Sequence, residues 1–150
     1  MPKVASVDFA RRVMIFGRLE SIGLGPNEVL PEQYSPRVRS CFAVQCFLRM
    51  GTSHGPETQD QRVLVCSPTW LTEAQPAGSV LRGQGLLLMT DFDAGVLRTA
   101  IDQFAKRCTG PTREEVFQKL GRLGFSEFED YNRTPIPLYL IDEAHESDNL

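Results

Sequence analysis

Over residues 124–132 the chain reads G-F-S-E-F-E-D-Y-N, in which the carboxylates Glu127, Glu129 and Asp130 alternate with the rings of Phe125, Phe128 and Tyr131. Two carboxylates in differing environments can act as a general acid and base. The same groups can hold a metal, meet a basic partner, or face water. No second catalytic group stands near them in the sequence. The only histidines are His54, in a Gly/Pro loop, and His145, in an acidic tail, and neither has a preorganised setting. A thiol hydrolase using Cys46 or Cys66 with His54 is the enzymatic alternative, since sequence distance does not forbid contact in space. Cysteines in apolar strands are more often structural. In an extended segment Glu127 and Glu129 would share one face, with Phe128 and Asp130 on the other. On that reading Phe128 and Phe125 anchor the segment and the glutamates face outward.

Metal and cofactor chemistry find little support. Two histidines and four cysteines (Cys41, Cys46, Cys66, Cys108) show no zinc spacing. Asp91-Phe92-Asp93 matches a fragment of a calcium loop, but the other ligand positions are absent, and helix capping by Asp93 explains it more simply. Glycines come singly or as the G-Q-G of residues 83–85, without a phosphate-loop lysine. The expectation is a protein without cofactor or metal.

The elements that must carry these residues fit one domain of 150 residues, 41% apolar and 23% charged. No apolar run approaches the roughly 20 residues of a membrane span, so no membrane partner is expected. The N-terminus places arginines after a weak apolar stretch, the wrong order for a secretory signal, which leads to a cytoplasmic reading. Unpaired cysteines agree with reduced, buried thiols. Net charge is −3, yet residues 1–126 carry +3 and residues 127–150 carry −6. An acidic end on a near-neutral body argues against nucleic acid and is compatible with a basic protein partner.

Residues 1–15 read as an N-terminal arm, 16–132 as the domain, and 133–150 as an acidic tail. Residues 18–24 alternate weakly, like an edge strand, and three prolines make a loop of residues 25–36. Residues 40–50 and 62–66 read as two long strands joined by the loop 51–60. Ser67 then caps a short helix that starts at Pro68 and turns Trp70 and Leu71 onto the core. A third strand spans 86–90. Asp93 caps a helix with Val96, Leu97, Ala100, Ile101 and Phe104 on one face, ended by Gly110 and Pro111. Thr112 caps a last helix, with Glu115 completing a capping box and an apolar stripe of Val116, Phe117, Leu120 and Leu123 before Gly124. The fold class is α+β: an antiparallel sheet of about four strands with a C-terminal helical pair packed on one face.

In that order, V-C-S-P-T-W-L, G-L-L-L-M-T-D-F-D, a helix ending in C-T-G, and T-R-E-E-V-F-Q-K-L-G-R-L-G-F-S-E-F-E-D-Y resemble the immunity protein 8 family of bacterial polymorphic toxin systems, which include contact-dependent growth inhibition. The resemblance runs from about Phe42 to Tyr131. Ser126 stands where the family pattern has tryptophan, so that ring's role is absent or taken by Phe125. The resemblance implies a cytoplasmic inhibitor, not an enzyme, that binds a cognate secreted toxin. Toxins of these systems are frequently nucleases with basic substrate grooves, which an acidic patch would complement. Glu127, Glu129, Asp130 and Tyr131 are then the candidate partner contacts. An adaptor of an unrelated complex differs from this reading only in its partner.

Overall fold

The computed structural model describes residues 14–126. Its elements are β1 (Ile15–Leu24), a 3-10 turn (Pro31–Gln33), β2 (Ala43–Thr52), β3 (Thr58–Cys66), α1 (Pro68–Ala74), β4 (Leu86–Leu88), α2 (Ala94–Arg107), β5 (Thr109–Gly110), α3 (Arg113–Leu120) and β6 (Phe125–Ser126). The fold is α+β: a curled sheet in the order β4-β3-β2-β1-β5, with β6 also on β3. β1, β2 and β3 form the antiparallel centre.

The sheet is mixed where the sequence suggested antiparallel pairing throughout, because β4 runs parallel to β3. Parallel neighbours need a long crossover, and residues 67–85 supply it. The Ser67 hydroxyl accepts the Trp70 amide at 3.2 Å, which caps α1, and also the Phe42 amide at 3.1 Å. That cap turns the chain into a helix directly at the end of β3. The helix and loop then return the chain so that β4 starts level with Leu64.

The remaining helices obey their caps. Asp93 Oδ1 accepts from the Val96 amide at 3.0 Å, and the Thr112 hydroxyl from the Glu115 amide at 3.2 Å. The stripe of α2 is displaced from the expected one: Leu97, Ile101 and Ala105 are buried, whereas Val96 is 58% exposed and Ala100 faces out. α2 ends at Arg107, before Gly110, because Thr109–Gly110 pair with Ile15–Phe16 as β5. β1 is therefore covered at its N-terminal end, where the Gly17 amide also donates to the Cys108 carbonyl at 2.9 Å. Likewise α3 stops at Leu120, with Gly121 as C-cap, four residues short of Gly124.

Strand alternation divides the side chains between two faces. Val44, Cys46, Leu48 and Met50 of β2, with Val63 and Val65 of β3, meet α2 and α3 through Leu97, Ile101, Val116 and Leu120. On the opposite face Ala43, Leu64 and Cys66 are covered by Trp70 of α1. α1 is only seven residues long, so it covers one end of that face. The other end is where the C-terminal strand arrives.

Candidate functional site

Glu127, Glu129, Asp130 and Tyr131 lie outside the described residues, as do Phe128 and His145. Phe125, which begins the segment, is described. It is 5% exposed, and its ring fills the space beside Gly85, where an added Cβ would come within 2.5 Å of Cε2. Gly85 itself has φ +78. The anchoring role expected of Phe125 is found, and the segment of interest starts from a strand locked to β3.

The thiols sit in settings that suppress nucleophilicity. Cys46 is wholly buried, and burial pushes its thiol far up; burial also raises Cys66, to about 11. Cys108 is raised by burial and donates to the Phe104 carbonyl at 3.3 Å. Cys41 is raised by desolvation first and then by Glu73, whose carboxylate lies 3.6 Å from its sulfur. A reactive cysteine needs the opposite, a lowered pKa beside a cation or helix start. His54 is exposed in the β2–β3 loop, with Nδ1 3.1 Å from the Ser53 hydroxyl. Among the described residues no three His, Cys, Asp or Glu side chains gather as a metal-holding group.

What the structure does assemble is the open half of the α1 face. Register places Gly23, Phe47, Arg62 and Phe125 in one row across β1, β2, β3 and β6. The neighbouring row holds Ser21, Arg49 and Asp60. Apart from Gly23, these residues border a depression of about 330 Å³. Arg49 grips Asp60 with two hydrogen bonds, Nε to Oδ1 at 2.8 Å and Nη2 to Oδ2 at 3.2 Å. These bonds hold the Asp60 carboxyl below the usual carboxylate range, against a smaller opposing effect of desolvation. Both side chains keep substantial solvent exposure, so the pair contributes at most about 1 kcal/mol.

At one end of the row Glu28 lies over Gly23, where an added Cβ would sit 2.7 Å from Glu28 Cβ. Glu28 holds φ +49, a left-handed conformation costing a non-glycine residue of order 1 kcal/mol. It closes the four-residue loop between the bridged Leu24 and Val29. At the far end, the Gln61 side chain reaches from the helix side of β3 to two partners. Its Nε2 donates to the Leu120 carbonyl at 3.0 Å, and its Oε1 accepts from the Gly124 amide at 3.0 Å. This clamp fixes where α3 ends and where β6 begins.

The face combines aromatic surface with charge in a shallow open depression. Its geometry suits contact with a macromolecule better than enclosure of a small substrate, since ligand sites bury most of what they hold. Sequence reading missed it. The available signal was the four-residue spacing of Gln45 and Arg49, which puts both on one strand face with Phe47 between them.

The family model described as immunity protein 8 matches residues 19–131, running from β1 through the five residues that follow β6. No curated protein and no solved structure matches the chain. The match covers most of the 150 residues, including all of the sheet but the first four residues of β1, all three helices and the clamp at Gly124. A family of immunity proteins implies a toxin as partner, and on this match the chain belongs to the immunity protein 8 family.

Proposed function

We propose that the protein is an inhibitor by binding, which neutralises a cognate secreted toxin in the cytoplasm by covering its active surface. Membership of the immunity protein 8 family carries this reading. Burial raises the Cys46 and Cys66 thiols, which counts against the thiol-hydrolase alternative. The toxin is a nuclease in this proposal, because seven of the chain's nineteen carboxylates fall in its last 24 residues. Such a segment complements a basic substrate groove, speeds encounter, and blocks entry of a polyanion.

Glu127, Glu129, Asp130 and Tyr131 are the proposed contacts. They follow β6 directly, and β6 is held by Phe125 and the Gln61 clamp. An ordered root lowers the entropy that a binding segment loses on association. The test is co-expression with the toxin domain encoded beside this gene. Growth should be protected, and purified nuclease activity should fall on adding equimolar protein. Loss of growth despite soluble, folded protein would overturn the proposal. Charge reversal of Glu129 and Asp130 together should slow association, and less so as salt rises. If it only lowers the melting temperature, those residues are structural.

A further inference from the structure

The side of β3 away from β2 is divided between two short strands. β6 pairs with Gln61 and Arg62, and β4 with Leu64 to Cys66. At two and three residues, neither has enough ladder bonds to stand alone. β4 hangs on the Gly85 carbonyl, which accepts the Leu64 amide at 2.7 Å, and on the Met89 amide, which donates to the Cys66 carbonyl at 3.0 Å. Two contacts tie these strands to each other and to α3. On the outer face the Phe125 ring lies against Gly85, its Cε2 and Cδ2 2.5 and 2.8 Å from where a Cβ would stand, and so walls the entry to β4. On the inner face both halves of the Gln61 amide are engaged, one on the Leu120 carbonyl and the other on the Gly124 amide. Gln61 is 4% exposed, so breaking either bond strands polar atoms in the interior.

We infer that residues 121–126 and β4 form one latch, which opens and closes as a unit while β1, β2 and β3 stay folded. Lifting β6 withdraws the ring from Gly85 and breaks the Gln61 bond to Gly124. Freeing β4 removes Gly85 from under the ring. Each half therefore loses the same shared contact when it opens alone, and opening both loses it only once. Little of the core goes with them: Leu86 and Leu87 are half-buried and Leu88 is exposed, whereas Cys46, Met50 and Val65 in the strands behind are wholly buried. Units of this kind open at a smaller free energy than the whole domain. On the reading of the protein as a toxin inhibitor, a toxin engaged just past Ser126 would also tighten β4, because coupling is reciprocal. The latch itself needs no toxin.

Native-state hydrogen exchange of the full chain alone, followed by NMR, tests it. The amides of Leu64, Met89 and Gly124 should share one opening free energy and one denaturant dependence, both below those of amides at the centre of β2. Leu87→Ala acts on the β4 side by removing apolar contact with the inner core, on the face opposite the ring, and should speed exchange at Gly124 by about tenfold. Gln61→Met acts on the β6 side by orphaning the Leu120 carbonyl and the Gly124 amide, and should speed exchange at Leu64 and Met89 by about tenfold. Amides of β2 should keep their rates relative to global unfolding in both variants. Distinct opening energies for the three amides in the unmodified protein would overturn the inference. So would acceleration confined to the side that each variant touches. Should a variant fail to fold, the unmodified protein decides the question by itself.

Discussion

Gly124 lies so close to Arg62 that an added Cβ would collide with the Arg62 carbonyl oxygen and sit 2.6 Å from Val63 Cγ1. The opposing atom is backbone of a central strand, so it has little freedom to withdraw. Gly124→Ala should therefore cost about 1–3 kcal/mol in chemical denaturation. Gly83 provides the contrast, with nothing within 4 Å of an added Cβ. Gly83→Ala should be neutral or stabilising by up to about 1 kcal/mol, through the unfolded chain. Equal effects at the two positions would refute the close approach.

Ser67 satisfies two amides, one at the start of α1 and one before β2. Ser67→Ala orphans both in a fully buried position. A loss of about 1–3 kcal/mol is expected. Trp70 is the sole tryptophan, and its fluorescence in native buffer should shift to the red as α1 loosens. Ser67→Asp, an equally good cap elsewhere, should not rescue, because burial penalises the charge.

Asp60 gives the acid limb of stability a defined sign. Its folded pKa is depressed by the Arg49 hydrogen bonds. Its contribution is therefore complete above the ordinary carboxylate range and is lost as pH falls through the lowered folded value. Asp60→Asn should flatten that part of the stability–pH curve and change stability at neutral pH by less than about 1 kcal/mol. Raising salt to 1 M should shrink the difference between the two proteins.

All four described thiols are raised, and only Cys41 is partly exposed. Alkylation of the native protein at neutral pH should be slow and confined first to Cys41. Cys46, Cys66 and Cys108 should react on unfolding, tracking the denaturant midpoint. Rapid, selective labelling of Cys46 or Cys66 would restore the thiol-hydrolase reading.

Local signals were the readable part of the fold. Ser67, Asp93 and Thr112 each mark a helix start through one side-chain oxygen within three residues of its target, and all three caps are present. What escaped depends on partners far away in the chain. Gly110 and Gly124 look alike in sequence as helix stops, yet one pairs with Ile15 and the other nests on Arg62. The parallel placement of β4 is fixed by the length of a crossover, which periodicity does not encode. The exposed Val96 shows the same limit, because a helical stripe has a fuzzy edge until its neighbour is known. For the site, composition drew attention to residues 127–131, whereas the row from Gly23 to Phe125 is brought together by four strands and has no contiguous signature.

The edge of β3 is shared end to end by two short strands, β6 beside Gln61 and Arg62 and β4 beside Leu64 to Cys66, with the Phe125 ring against Gly85 at their junction. During synthesis this edge therefore stays half open until residue 126 has left the ribosome, long after β3 itself can pair with β2. Over that interval the bare amides and carbonyls of the β3 edge are a template for any other nascent chain. A copy halted upstream of Phe125 carries the hairpin, α1 and β4 but lacks the residue that shuts the seam, so translational stalling there should feed aggregation more than stalling a few codons later.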